Sequence, residues 1–381
     1  MNMNPLLKLE SFDQSIWMDF IRRGTILSGE LKQMIAEDGV TGITSNPSIF
    51  EKAITGSHDY DQAIRTLTQT GKTPAQILEE LTIEDIQGAA DLFRPTYART
   101  QGRDGFVSLE VSPHLAHDTA GTITEARHLW KKVNRPNVMI KVPGTKEGIP
   151  AVRQLISESI NINITLLFGL PRYREIAKAY LEGLEYLAAQ SKPLDRVASV
   201  ASFFLSRIDV LVDPMLDRIA AQGGDKAVMA IKLQGMVAIY SAKVAYDMFH
   251  KVFKGNRFNH LAQLGACPQR LLWASTSTKN PKYSDVMYVE ALIGPETIDT
   301  LPIETIQAYK DHGKPLPRLA EEPENSCRVR EQLNEIGIDL DAVTQQLEDE
   351  GVEKFNNAFD QLLAALAERQ KKAAAEPAPP K

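Results

Sequence analysis

The chain has 381 residues, 43% hydrophobic and 24% charged, with a net charge of −6. That is the balance of a globular protein with a substantial core. No run of lysine and arginine stands out, which argues against a nucleic acid partner, and no apolar stretch is long enough to span a bilayer.

Short apolar runs recur along the chain with helical patterns between them. The first, Ile16 to Phe20, puts Trp17 and Asp19 on one face, since alternate residues of a strand face opposite sides. Val40 to Asn46 groups Gly42, Thr44 and Asn46, then stops at Pro47. Thr73-Pro74-Ala75-Gln76 is a capping box with proline at the first helical position. Phe106 to Val111 sets Phe106, Ser108 and Glu110 against Val107, Leu109 and Val111. Thr122-Ile123-Thr124-Glu125 is a second capping box, opening a helix towards Trp130.

Val138 to Pro143 reads as a fully buried strand, yet it contains Lys141. A buried ammonium costs several kcal/mol unless paired, and burial disfavours the charged form. A neutral amine is a nucleophile towards carbonyls. Lys141 is thus either a Schiff-base lysine or one whose head snorkels to a sheet end.

Ile162 to Phe168 follows, with Asn161, Asn163 and Thr165 on one face. A helix runs from Leu170-Pro171-Arg172 to Leu187. Val197 to Phe203 brings Ser202 near its end, with Arg207 in the loop beyond. The pattern from Asp225 to Phe253 predicts one long helix. Arg270 to Thr276 and a weak run at Thr297 to Leu301 complete the strands. The last helix, Gly351 to Gln370, carries one apolar stripe through Val352, Phe355, Phe359, Leu362, Leu363 and Leu366, suited to pack on the body and close over its mouth.

Strand–helix alternation of this kind predicts parallel strands with helical crossovers. Eight such units predict an α/β fold, a closed (β/α)₈ barrel, rather than an open sheet. An open doubly wound sheet calls for a glycine-rich turn after its first strand, and Phe20-Ile21-Arg22-Arg23-Gly24 does not supply one. The expected organisation is one barrel domain over residues 1–370 and a low-complexity, disordered tail over 371–381.

In such a barrel, reactive groups come from the C-terminal strand ends. Asp19, Thr44, Asn46, Glu110, Lys141, Asn163, Thr165 and Ser202 would then converge in one mouth. Each alone has a plain alternative: Asn46-Pro47 as a turn, Asn163 bonding a backbone, Asp19 capping a helix. The whole set on one face is harder to explain as core. The residue types suit an imine mechanism. A lysine condenses with a ketone, one carboxylate takes the β-hydroxyl proton while a carbon–carbon bond breaks, and another shuttles protons to and from water. Amides and hydroxyls hold sugar hydroxyls, and cations hold a phosphate.

These segments resemble the transaldolase family. The resemblance rests on Ile43-Thr44-Ser45-Asn46-Pro47-Ser48-Ile49-Phe50, Val107-Ser108-Leu109-Glu110-Val111, Val138-Met139-Ile140-Lys141-Val142-Pro143-Gly144-Thr145 and Asn161-Ile162-Asn163-Ile164-Thr165-Leu166-Leu167-Phe168. Gln14-Ser15-Ile16-Trp17-Met18-Asp19 and Leu272-Trp273-Ala274-Ser275-Thr276-Ser277-Thr278-Lys279-Asn280-Pro281 are similar to its longer bacterial branch. The resemblance spans about Leu7 to Leu366. It implies a transferase of the non-oxidative pentose phosphate pathway, moving a dihydroxyacetone unit from sedoheptulose 7-phosphate to glyceraldehyde 3-phosphate and giving erythrose 4-phosphate and fructose 6-phosphate.

Carried over by motif, Lys141 is the Schiff-base lysine and Asp19 the aspartate that takes the hydroxyl proton. Glu110 works through a water that Thr165 helps hold. Asn46 and Asn163 hold the dihydroxyacetone part, with Thr44 in the same pocket. Ser202 and Arg207 match the family's Ser-x-x-x-x-Arg, the arginine binding phosphate. Where the better-studied branch has a second phosphate-binding arginine, this chain offers Lys279, a point charge rather than a bidentate donor. Ser275 and Ser277 compete as its serine partner.

The resemblance implies no cofactor, no metal, no nucleic acid or membrane partner, and a monomer or homodimer. Met1 to Glu10 lacks a charged region followed by an apolar core, so the cytoplasm is the expected compartment. Cys267 and Cys327 have no metal-site spacing. His114, His117 and Asp118 suit a helix start or the surface better than a metal. Two rivals remain: an aldolase of the same superfamily releasing dihydroxyacetone, for which the related fructose 6-phosphate aldolases carry tyrosine at the Glu110 position, and a non-catalytic sugar-phosphate-binding barrel.

Overall fold

The computed structural model describes residues 4–375. Eight parallel strands close into a barrel in chain order. They are β1 Gln14–Met18, β2 Val40–Ile43, β3 Val107–Glu110, β4 Val138–Pro143, β5 Ile162–Leu167, β6 Ser199–Phe204, β7 Arg270–Ala274 and β8 Thr297–Leu301. Helices carry the chain between strands, as parallel pairing requires. Every residue of β4 to β7 is buried, so these strands read as near-continuous runs rather than alternating ones.

β8 is faint in the sequence because Thr297, Asp299 and Thr300 interrupt it. Its polar groups have work inside the fold. Thr297 donates to the Gly294 carbonyl at 2.6 Å and accepts from Gln14 at 3.0 Å. Thr300 and Thr44 share a hydroxyl–hydroxyl bond of 2.8 Å across the barrel mouth. Asp299, on the face opposite Thr300, is buried with neither carboxylate oxygen hydrogen-bonded among the described residues, and burial holds its carboxyl well above the usual range.

A polar plug closes the N-terminal end of the barrel. Arg270 donates to Ser15 Oγ at 2.6 Å and to the Thr297 carbonyl at 2.7 Å, and lies 3.3 Å from Asp104 Oδ1. Asp104 also accepts from Trp17 Nε1 at 3.0 Å and Ser15 Oγ at 2.7 Å. Above the plug, the Trp17 ring lies where a side chain at Gly42 would point: a Cβ there would come within 2.6 Å.

Some elements differ from the sequence reading. β1 starts two residues early, so Asp19 follows the strand rather than lying in it. The Thr73 capping box is present in full. The box at Thr122 is not: Asp118 caps a helix over Thr119–Val133, Thr122 donates to the Leu115 carbonyl, and Glu125 accepts from the Ser112 amide. The Asp225 to Phe253 pattern is two helices, Gly224–Leu233 and Val237–Phe253, bent by 68°. The break falls at Gly235, whose φ of +67° no helix accepts. Among the described residues, no single helix is long and apolar enough to cross a membrane.

The C-terminal helix starts earlier than its apolar stripe suggests, at Leu340, and runs to Ala375. Residues 371–375 of the expected tail are therefore in this helix, and 376–381 lie outside the described residues. Val352, Phe355, Leu362 and Leu366 are buried, packing against the helix Pro47–Thr55 and its neighbours. Phe355 reaches the barrel mouth.

Candidate active site

A cavity of about 440 Å³ opens at the C-terminal end of the barrel. Asp19, Thr44, Asn46, Lys141, Ser202, Arg207 and Lys279 all line it. Glu110, Asn163 and Thr165 are not on its wall. They lie beside and beneath it, and the strand register explains how.

Glu110 of β3 pairs with Lys141 of β4, which pairs with Asn163 of β5. One row of inward side chains thus crosses three strands. Lys141 is 4% exposed. Its ammonium nitrogen donates to the Ser45 carbonyl at 3.0 Å and lies 3.3 Å from Glu110 Oε2. Among the described residues, neither Glu110 oxygen has a hydrogen-bond partner. Burial pushes the Glu110 carboxyl up to about 7, with Lys141 partly offsetting it. A carboxyl so placed both takes and gives protons near neutrality.

Asn163 is locked on both sides: its amide donates to Ser108 Oγ at 3.0 Å, and its carbonyl accepts from Ser202 Oγ at 2.7 Å. Thr165 pairs with Pro143, and its buried hydroxyl has no hydrogen-bond partner among the described residues. The next residue, Leu166, has a φ of +59°, and the β5–β6 register shifts there. This irregularity ends regular pairing beside the site.

On the other side of Lys141, Asp19 accepts from Thr44 Oγ1 at 2.7 Å, and its amide donates to the Leu301 carbonyl at 2.8 Å. Burial raises the Asp19 carboxyl, with Lys141 and Thr44 lowering it in part. Asn46 has two roles at once. Its carbonyl oxygen caps the helix Pro47–Thr55 by accepting from the Ile49 amide at 3.0 Å, which leaves its amide nitrogen for the cavity.

Arg207 is not in a loop. It is the second residue of the helix Ser206–Ala220, because the chain turns helical directly after β6. Its guanidinium lies 5.6 Å from the Phe204 ring centroid and 5.9 Å from that of Phe355, a cation–π setting. Nη1 is buried without a hydrogen-bond partner among the described residues. Among the described residues it makes no ion pair, so its charge is available to an anion. Lys279, in the segment after β7, donates to Ser277 Oγ at 2.5 Å. Ser275 bonds Ser206 at 2.9 Å instead, so of the two candidate serines Ser277 is the one beside Lys279.

The profile of the transaldolase/fructose-6-phosphate aldolase family matches residues 16–366. A transaldolase of Trichodesmium erythraeum is 49% identical over 97% of this chain and 98% of its own length. A transaldolase of Thiobacillus denitrificans is 44% identical over 96% of this chain and 100% of its own, and one of Saccharopolyspora erythraea 44% over 93% and 94%. The chain belongs to the transaldolase/fructose-6-phosphate aldolase family.

The barrel of this family member uses groups that its strands do not advertise. The Ser45 carbonyl, which holds Lys141, is backbone and has no sequence signal. Ser108, which holds Asn163, was visible as the inward neighbour of Glu110 on the same strand face. Lys52 and Ser48 line the mouth from the Pro47–Thr55 helix. Their spacing of four places them on one helix face, and that signal was available. Glu304, also on the cavity wall, adds a smaller upward push to the Asp19 carboxyl that burial raises.

The histidines are not part of the site. His114 pairs with Asp360 at 2.8 Å and His117 with Glu147 at 3.1 Å, each on its own. Among the described residues, no group of three or more His, Cys, Asp or Glu side chains is placed to hold a metal. Cys267 and Cys327 are exposed free thiols.

Proposed function

We propose that this chain is a transaldolase in which Lys141 forms the imine, Asp19 is the base for carbon–carbon cleavage and Glu110 handles the water. The observation that carries the reading is Lys141 Nζ at the floor of the mouth, 3.3 Å from Glu110 Oε2, with Asp19 on the adjoining wall.

The chemistry follows from that placement. Lys141 attacks the C2 carbonyl of a ketose phosphate, such as sedoheptulose 7-phosphate or fructose 6-phosphate. The proton that must leave the amine has an acceptor in Glu110. The carbinolamine then loses its hydroxyl as water, with Glu110 as proton donor, and the iminium forms. Asp19 removes the C4 hydroxyl proton, the C3–C4 bond breaks, and its electrons move into the iminium as an enamine. The aldose phosphate departs. A second aldose phosphate enters, and the enamine carbon attacks its aldehyde while Asp19 returns the proton. Water, activated by Glu110 and held by Thr165, hydrolyses the new iminium.

Asn46 holds the hydroxyls of the dihydroxyacetone unit, and Asn163 supports them from beneath through Ser202 on the wall. Arg207 and Lys279 hold the phosphate, Arg207 as the planar donor and Lys279 as a point charge. Glu110 weighs against simple release of dihydroxyacetone, since the family's aldolases carry tyrosine at that position.

The test is reductive trapping. Protein incubated with fructose 6-phosphate and borohydride gains one dihydroxyacetone-derived adduct, on the peptide carrying Lys141, and glyceraldehyde 3-phosphate is released. Lys141→Ala remains folded and gains none. An adduct on another lysine, or turnover by Lys141→Ala, defeats the mechanism. Accumulation of free dihydroxyacetone in place of transfer to an added aldose phosphate would favour the aldolase instead.

A further inference from the structure

The helix Ser206–Ala220 carries three carboxylates at four-residue spacing, Asp209, Asp213 and Asp217, which face one side. None of them faces the substrate cavity. Each instead ties the helix to other chain segments. Asp209 accepts from the Ala238 amide at 2.9 Å and from Tyr288 Oη at 2.8 Å. Asp213 accepts from the Gly235 amide at 3.0 Å and from Tyr283 Oη at 2.8 Å. Asp217 accepts from Gln234 at 2.6 Å.

Tyr283 and Tyr288 flank the end of the segment after β7. Residues 275–286 have neither helix nor strand, yet this segment carries Ser275, Ser277 and Lys279 to the barrel mouth. Its start is fixed by Thr276, which donates to the Thr300 carbonyl at 2.9 Å. Its middle is closed by Thr278, which donates to the Ser284 carbonyl at 2.8 Å. Its far side is held by the Tyr283 hydroxyl on Asp213. The Tyr283 ring lies against Gly235: a Cβ there would come within 2.8 Å of the ring. The left-handed glycine that breaks the long helix thus also makes room for this tyrosine.

Lys279 stands between two cavities. It lines the substrate mouth, and it also lines a smaller space of about 260 Å³ walled by Asp209, Asp213 and Asp217. Three carboxylates line that side. With Asp213 saturated by Gly235 and Tyr283, and the segment pinned, Lys279 bonds Ser277 at the mouth. Arg207 is on the same helix as Asp213, so one helix sets both cations.

We infer that Tyr283 and Asp213 are positioning residues for the phosphate end of the substrate: their hydrogen bond holds the segment after β7 so that Lys279 faces the mouth shared with Arg207. The inference rests on the reading of Lys279 as a phosphate ligand. It assigns part of the preference for phosphorylated over unphosphorylated aldoses to a tyrosine that touches neither substrate nor reacting atoms.

The experiment uses the full-length protein with sedoheptulose 7-phosphate as donor and two acceptors, glyceraldehyde 3-phosphate and glyceraldehyde. The readout is the ratio of their kcat/KM values, which is independent of how the donor step proceeds. Tyr283→Phe removes one hydroxyl and no volume. It lowers the ratio about fivefold to tenfold, through KM for the phosphorylated acceptor, and leaves borohydride trapping at Lys141 intact. Asp213→Asn, a second route to the same bond, lowers it in the same direction. Tyr283→Phe combined with Lys279→Ala is no worse in this ratio than Lys279→Ala alone, because both act through one ammonium group.

A merely structural tyrosine lowers kcat/KM for both acceptors equally, or adds its effect to that of Lys279→Ala; either result overturns the inference. A ratio moved by Lys279→Ala but by neither Tyr283→Phe nor Asp213→Asn overturns the inference alone. A ratio unmoved by Lys279→Ala overturns the phosphate role of Lys279 and the inference with it.

Discussion

Glu110→Gln isolates proton transfer from shape. The amide keeps the volume of the carboxyl beside Lys141 but neither gives nor takes a proton. In the wild-type protein both Glu110 oxygens lack a hydrogen bond among the described residues, and burial pushes the carboxyl up to about 7, so near neutrality it divides between its two forms. Positioned acid–base groups of this kind contribute about 10²–10⁴-fold, or about 3–5 kcal/mol of barrier. The expected loss in kcat with fructose 6-phosphate and erythrose 4-phosphate lies in that range, while the borohydride adduct on Lys141 still forms, more slowly. The wild-type pH profile has an inflection near 7 that the variant lacks. Stability gives an independent readout. The folded carboxyl sits above its ordinary 4.5, so between those values the folded state holds a proton that the unfolded state has released. Wild-type stability therefore falls relative to Glu110→Gln as pH rises from about 4.5 to about 7, by at most about 3 kcal/mol. Chemical denaturation at a series of pH values measures it. A variant within threefold of wild-type kcat that keeps the inflection near 7 would refute the role given to Glu110.

Other perturbations separate the remaining parts. Asp19→Asn should still form the imine with fructose 6-phosphate yet release glyceraldehyde 3-phosphate about 10²–10⁴-fold more slowly; trapping without release, followed by quench-flow, is the signature. Arg207→Ala should raise KM for phosphorylated acceptors about tenfold to hundredfold, the worth of a hydrogen bond to a charged group, and steady-state kinetics with glyceraldehyde as acceptor should show little change. Asp104→Ala leaves Arg270 buried beside Ser15 without its carboxylate. It should lower unfolding free energy by about 3–5 kcal/mol, read from urea melts, without changing kcat per folded molecule, because the plug is at the far end of the barrel from the chemistry.

The barrel was legible because its strands are buried on both faces. Val138–Pro143 and Thr297–Leu301 fall where the sequence places them, since an apolar or β-branched run has few other uses. Boundaries slipped where the signal was local chemistry. Thr122 and Glu125 have the spacing of a capping box, but Asp118 captures the helix start first. The Asp225 to Phe253 pattern keeps its period through Gly235, and only the Asp213 carboxylate waiting for the Gly235 amide shows why it breaks. The site was legible as polar residues on inward faces. Its supports were not: the Ser45 carbonyl has no side-chain signature, and Tyr283 is in an irregular segment whose partner, Asp213, lies 70 residues away in sequence.

The pairing of β1 with β8 has a consequence for the order of events during synthesis. Thr44, which orients Asp19, is bonded to Thr300 across 256 residues of chain, and the Asp19 amide needs the Leu301 carbonyl. At roughly 5–20 residues per second, about 10–50 s separates the emergence of these two edges from the ribosome. Through that interval Lys141, Glu110 and Asn163 can already align on β3, β4 and β5, while the carboxylate that breaks the carbon–carbon bond has no fixed place. A nascent chain short of β8 thus has the nucleophile without the base. The last strand of the barrel completes the wall and the chemistry together.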